Sequence, residues 1–171
     1  IMVVHLYGKC CEMDKIINIA KKHKLSIIED CAQSHGSQFK GQNSGTFGEI
    51  GAFSFYPTKN LGALGDAGAI ITSNEELYLK LKAMRNYGSE KKYYNQFVGR
   101  NSRLDELQAA LLRVQLLELD RWTEERRSLA FRYNELLKPF VVVPEEGIGE
   151  YHVFQTYVIL AERRDELLKF L

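Results

Sequence analysis

Phe53-Ser54-Phe55-Tyr56-Pro57-Thr58-Lys59-Asn60-Leu61-Gly62-Ala63-Leu64-Gly65-Asp66-Ala67-Gly68 sets one lysine between a short apolar strand and a glycine-rich loop. Pro57 ends the strand, because it has no backbone N–H to give a ladder. Gly62, Gly65 and Gly68 let the backbone pass close to a neighbour. An amine fixed at such a turn serves as a nucleophile once burial lowers its pKa. Taken alone, Lys59 is equally a solvated lysine beside a turn. The balance shifts with the segment upstream, Leu25-Ser26-Ile27-Ile28-Glu29-Asp30-Cys31-Ala32-Gln33-Ser34-His35-Gly36, where a second apolar strand ends in a carboxylate.

The two segments resemble, in order and in spacing, the DegT/DnrJ/EryC1/StrS group of sugar aminotransferases: Asp-x-Ala-Gln-x-His-Gly at Asp30–Gly36, then Phe-Ser-Phe-Tyr-Pro-x-Lys-Asn-Leu-Gly at Phe53–Gly62. The resemblance extends along nearly the whole chain. It implies an α/β fold of the aspartate aminotransferase type (fold type I) and pyridoxal 5′-phosphate (PLP) as cofactor. On it, Lys59 is the lysine that holds the cofactor covalently and, once displaced, shuttles a proton as base and then acid. Arginine could not do this, since it keeps its proton. Asp30 is the partner of the pyridine nitrogen, keeping the ring cationic; alone it would be a strand-end Asp capping a turn. Gln33 lies by the ring hydroxyl, where an amide donates without adding charge. Ser54 binds the phosphate, and Asn101 reaches the phosphate of the other subunit's cofactor, which implies a homodimer with a shared site. Tyr56 is a substrate or cofactor contact, or else core.

The resemblance further implies amino transfer, with L-glutamate as donor and a nucleotide-linked keto sugar as acceptor, in deoxyamino sugar biosynthesis. Some relatives carry histidine at the lysine position and are sugar dehydratases; Lys59 argues against that. Asn86–Tyr93 and Gly99-x-Asn101-Ser102-Arg103-Leu104-Asp105 look closest to the branch acting on dTDP-linked 3-keto-6-deoxyhexoses. Gln155 departs from the histidine that relatives often carry in the segment Val153–Ile159. A non-catalytic regulatory or interaction protein of the same fold is the competing class.

Composition agrees with an ordinary globular chain: 171 residues, 45% hydrophobic and 26% charged. A net charge of +1, with no basic stripe, offers nothing to nucleic acid or a membrane surface. The loop of Gly41, Gly45 and Gly48 lacks the Gly-Lys-Ser/Thr of a P-loop. Cys10, Cys11 and Cys31 form no metal spacing, and the four histidines are scattered. Reduced thiols and the lack of a legible signal peptide or transmembrane run give a cytoplasmic expectation. Ile1 already sits in an apolar run and Leu171 in a helical pattern. Family members are longer at both ends, so the chain is expected to be an internal piece of a larger enzyme.

Strands are expected at Ile1–Leu6, Leu25–Asp30, Ile50–Phe55 and Ala69–Thr72, the last antiparallel. Helices are expected over Met13–Lys24, over Asn74–Arg85 with Ser73 or Asn74 as cap, and from Leu104 to Leu137 without interruption. The last carries an apolar stripe of Leu104, Leu107, Leu111 and Val114 and a capping box at Ser102-x-x-Asp105. Phe39–Gly48 and Glu90–Arg100 read as loops. Val141–Val143 and Tyr151–Leu160 read as strands, and Arg163–Leu171 as the start of a helix. Residues 1–137 are thus expected to be part of a large cofactor-binding domain, and 138–171 the opening of a smaller one.

Overall fold

The structure, a computed structural model, describes residues 1–91 and 93–171. Lys92, within the Asn86–Tyr93 motif, lies outside the described residues. The chain opens with β1 (Met2–Val4), a 3₁₀ turn at Leu6–Gly8, α1 (Met13–His23) and β2 (Ile28–Asp30). α1 turns Met13, Ile16, Ile17 and Ala20 onto Val3, Cys10, Ile27 and Phe39, the first of two core clusters. Its 3.6-residue spacing puts those four side chains on one face. Met13 is fully buried, contributing about 1.5–3 kcal/mol. Lys21, Lys22 and His23 close the helix, where cations meet the negative end of its dipole.

The next strands are β3 (Gln38–Phe39), β4 (Gln42–Asn43), β5 (Ile50–Ser54) and β6 (Gly68–Ile71). β1, β2 and β5 run parallel and β6 antiparallel, in the order β1-β2-β5-β6, as expected from the apolar runs. The expected loop at 39–48 contains a hairpin instead. Its turn residues Lys40 and Gly41 both have positive φ, 52° and 78°, as a type I′ turn requires.

α2 (Glu75–Met84) starts on Asn74, whose side chain accepts from Leu77 N–H at 3.1 Å. The chain leaves α2 through Gly88 at φ 74° and forms a short bulged hairpin, β7 (Ser89–Lys91) with β8 (Tyr94–Asn95), within the expected irregular loop. The single long helix is corrected to two, α3 (Glu106–Leu116) and α4 (Leu119–Leu137). At the junction Leu117 and Glu118 donate three residues back, to Val114 and Gln115, which tightens the turn between the two helices. Most of the expected stripe faces outward: Leu107, Leu111 and Val114 are exposed, whereas Leu104 packs, as does Leu112, with Leu61, Ala63 and Leu119 in the second core cluster. Asp105, not Ser102, precedes α3, and it makes no side-chain cap bond.

The strands expected near the end shrink to a Val142–Leu160 bridge and β9 (Glu150–Tyr151), which pairs with β3. α5 (Arg164–Phe170) follows. Among the described residues, no helix is long and apolar enough to cross a membrane.

Candidate active site

Glu29 and Asp30 are neighbours on β2 and so face opposite sides of the sheet. Glu29 is fully buried on the α1 side. Its Oε1 accepts from Phe47 and Gly48 N–H at 2.7 Å each, and its Oε2 from Gly45 N–H at 2.7 Å and His5 Nε2 at 2.8 Å. Cys11 N–H donates to His5 Nδ1 at 3.2 Å, which fixes the proton of the neutral ring on Nε2. Burial opposes the charge on Glu29, but the His5 ring and the three peptide donors outweigh it and hold the carboxyl below the usual range. Cys31 lies alongside, its thiol pushed up to about 11 by burial. His5, Glu29 and Cys31 are close enough to suggest a metal. The carboxylate is saturated by donors and the sulfur is a neutral thiol, so the group is a structural hub. Its role is to lash the glycine loop 45–48 beneath β2. A side chain at Gly51 would meet Gly45 Cα at 2.6 Å, so the two backbones touch there.

Asp30 faces the other way, at the carboxyl end of a parallel strand, where ligands of α/β sheets collect. Its Oδ1 accepts from Ala32 N–H at 3.0 Å, leaving Oδ2 with no hydrogen-bond partner among the described residues. The register pairs Asp30 with Ala52, so Ser54, two residues on, presents its side chain on the same face. Asp30, Ala32, Ala52 and Ser54 line one cleft of about 220 Å³. Ser54 Oγ accepts from Tyr56 N–H at 3.3 Å.

Gln33 is oriented by the 3₁₀ turn. Tyr7, held at φ 61°, donates its N–H to Gln33 Oε1 at 2.6 Å. The atom facing that N–H must be the oxygen, so Nε2 is the end left to donate elsewhere.

Lys59 follows the strand in a turn closed by its N–H to Tyr56 C=O at 2.9 Å, and its side chain is half-buried. Nζ has no ion-pair partner among the described residues. Beside it lies His35, which is buried between Phe53 and Phe55 at centroid distances of 5.5 and 5.7 Å. Neither His35 nitrogen has a hydrogen-bond partner among the described residues. Burial and the Lys59 charge push this imidazole down to about 4, although the ring lies near the Ser54 backbone, which pulls the other way.

The structure thus brings Asp30 and Ser54 into one cleft, with Gln33 and Lys59 on adjoining loops. Tyr56 is half exposed. Asn101 stands apart: it is exposed, bridged to Asn86 at the end of α2, and accepts from Arg103 Nε at 3.2 Å.

Sequence reasoning missed two residues here. Glu29 reads as one more strand residue, since its partners come from glycine loops distant in sequence. Gln155 reads only as a departure from the family pattern. In the structure its Oε1 accepts from Asn60 N–H at 2.8 Å and its Nε2 donates to Thr58 C=O at 2.9 Å. The signal available was an amide, able to give and accept at once, in a segment with no charged residue.

A mixed sheet with a carboxylate and a hydroxyl at its strand ends, followed by a lysine turn, is the frame of fold-type I aminotransferases. The chain belongs to the DegT/DnrJ/EryC1/StrS aminotransferase family, whose model matches residues 1–171. It is 50% identical over 172 residues to a dTDP-3-amino-3,6-dideoxy-alpha-D-galactopyranose transaminase of Aneurinibacillus thermoaerophilus, covering 100% of this chain and 47% of that one. It is also 50% identical over 175 residues to a pleiotropic regulatory protein of Geobacillus stearothermophilus, covering 100% of this chain and 47% of that one. The crystal structure of S. venezuelae DesV in complex with a ketimine intermediate superposes with a TM-score of 0.93 at 44% identity, over 97% of this chain and 45% of that one. The chain therefore spans about half the length of the curated relatives it matches.

Proposed function

We propose that this chain carries the cofactor half of a PLP-dependent aminotransferase that moves an amino group, from L-glutamate, to a nucleotide-linked keto sugar. The observation that carries the reading is the single cleft shared by Asp30 and Ser54, with the half-buried Lys59 turn directly beyond β5. The donor set fits PLP. Asp30 Oδ2 is a carboxylate oxygen for a protonated ring nitrogen, and Ser54 Oγ suits a phosphate oxygen. Gln33 presents Nε2, because Tyr7 occupies its oxygen. Ala32 and Ala52 between them leave room for a flat ring.

When bound, PLP supplies an electron sink that stabilises negative charge at the substrate carbon. The protein supplies the rest. Asp30 holds the ring proton. Lys59 Nζ takes a proton from the substrate carbon and returns it on the other side of the transfer. His35, kept neutral beside it, adds no competing positive charge. Asn101 serves the partner subunit's site in a homodimer, in keeping with its exposed position at a distinct place on the molecule. Tyr56 faces the substrate. The chain passes from the cofactor-binding domain (1–137) into the first elements of a smaller one (138–171), and the enzyme works in the cytoplasm.

The name of the transaminase relative supports a dTDP-linked 3-keto-6-deoxyhexose as acceptor. The regulatory name of the other relative supports a non-catalytic second reading. One experiment separates them. The full-length protein is treated with PLP and borohydride, and the reduced adduct is mapped by peptide mass spectrometry. Label on Lys59, with Lys59→Ala lowering turnover by about 10²–10⁴-fold or more, is the expected result. No label in the full-length protein, or retained multiple turnover in Lys59→Ala, rejects the aminotransferase reading.

A further inference from the structure

We infer that Gln155 is a positioning residue for Lys59, fixing its backbone so that the amine leaves the loop in one direction. The inference rests on the proposed role of Lys59 above.

The two groups that Gln155 holds are not arbitrary. Thr58 C=O belongs to the peptide unit before Lys59, and Asn60 N–H to the peptide unit after it. Peptide units are planar, so only φ and ψ of Lys59 separate the two planes. One flat amide bonded to both planes restrains both angles together. Among the described residues no strand ladder holds this turn, so the amide supplies what regular structure does not. A third bond, from Asn60 Nδ2 to Val153 C=O at 3.3 Å, ties the turn to the same segment.

The clamp is itself anchored. Val153 N–H donates to Gly8 C=O at 3.0 Å. A side chain at Gly8 would meet Val153 Cγ2 at 2.8 Å and Gln155 N at 2.9 Å, and its φ of 96° already favours glycine. Phe154 N–H donates to His152 Nδ1 at 2.9 Å, and the two rings stack at 4.0 Å. Arg127 on α4 donates to His152 C=O at 2.8 Å. The root of the lysine is therefore fastened to α4 and to the 3₁₀ turn that orients Gln33. Its four-carbon stem is left free, which suits an amine that must bind, detach and carry a proton.

The test uses the full-length enzyme with Gln155→Met, which has similar reach and neither bond, Gln155→Glu, which keeps the acceptor and loses the donor, and Gln155→His, which keeps one of each. The first readout is the rate at which added PLP becomes borohydride-reducible at Lys59. The second is PLP affinity by fluorescence titration with Lys59→Ala in place. The third is kcat against KM for the amino donor. Misplacing a reacting group by about 1 Å costs up to about 100-fold, so Gln155→Met is expected to slow capture at Lys59 by about 10–100-fold. It should lower kcat similarly with little change in KM. Gln155→Glu should fall between, and Gln155→His should restore part of the loss. With Lys59→Ala in place, Gln155→Met should leave PLP affinity unchanged. Should Gln155→Met not fold, Gln155→Glu carries the test, with a smaller slowing of capture expected.

Equal capture rates in the wild type and the variants overturn the inference and leave the aminotransferase reading standing. A loss of PLP affinity that persists in the Lys59→Ala background also overturns it, since it marks general damage. Absence of any adduct at Lys59 in the wild type removes the reading and the inference together.

Discussion

Glu29 and Asp30 are adjacent carboxylates given opposite work by the pleat of one strand. Replacing Glu29 with Gln weakens the acceptor of His5 Nε2–H and sets an NH₂ group among peptide donors. We expect a loss of about 1–3 kcal/mol, read from denaturant unfolding of the full-length protein. Because the Glu29 carboxyl is held below its unfolded value, its contribution is complete above that unfolded value and disappears as pH falls through the folded one. His35 has the opposite origin and a similar outcome. Its pKa falls from 6.5 to about 4, so below 6.5 the unfolded chain binds the proton that the folded chain refuses. Stability then rises with pH between about 4 and 6.5 and levels off above. His152, also lowered to about 4 chiefly by burial, adds to the same limb. Thermal melts of His35→Leu should show a shallower acid limb and little change at pH 8; a limb as steep as the wild type would count against this. Asp30, Gln33, Ser54 and Lys59 could be picked out because each carries chemistry in a recognisable spacing. Glu29 could not, because its partners are three backbone groups of a different loop and a histidine 24 positions upstream.

Among the elements, those with strong periodicity were legible and those made by tertiary pairing were not. α1, α2 and the four sheet strands follow from apolar spacing and the Asn74 cap. Asn74→Ala should cost about 1 kcal/mol, measured by unfolding midpoint. The Lys40-Gly41 turn escaped because lysine seldom accepts a positive φ, and here β9 holds the hairpin from outside. The break at Leu117–Glu118 carries neither proline nor glycine, so the helical pattern runs across it unmarked. Residues 141–143 and 151–160 read as strands because they are apolar, yet side chains hold the segment that follows α4. Arg127 pairs doubly with Glu146, bonds His152 C=O and stacks on Tyr151 at 4.0 Å. Arg127→Ala should therefore destabilise by about 3–5 kcal/mol. Arg127→Lys should recover little, since an ammonium offers neither the paired donors nor the flat face. Matching losses for Ala and Lys, seen in guanidinium unfolding, would bear out that geometry; full recovery by Lys would refute it.

For the whole molecule, two apolar surfaces are open. Met2, Val4, Ile28 and Ile70 lie exposed on the sheet face opposite α1, and Leu107, Leu111 and Val114 on the outer side of α3. Apolar area on this scale seeks cover. The 171-residue chain made alone should associate with rising concentration and bind a dye such as ANS, as sedimentation velocity and fluorescence would report. A dye-silent monomer would contradict this. The lysine turn and its clamp are also far apart along the chain, Thr58 and Gln155 being 97 positions apart. A contact of such long range closes late in folding. Synthesis proceeds from the N-terminus, so a nascent chain emerging from the ribosome presents Asp30, Ser54 and Lys59 well before the amide that sets the lysine. Until Gln155 clears the exit tunnel, the growing polypeptide holds an amine whose direction is not yet decided.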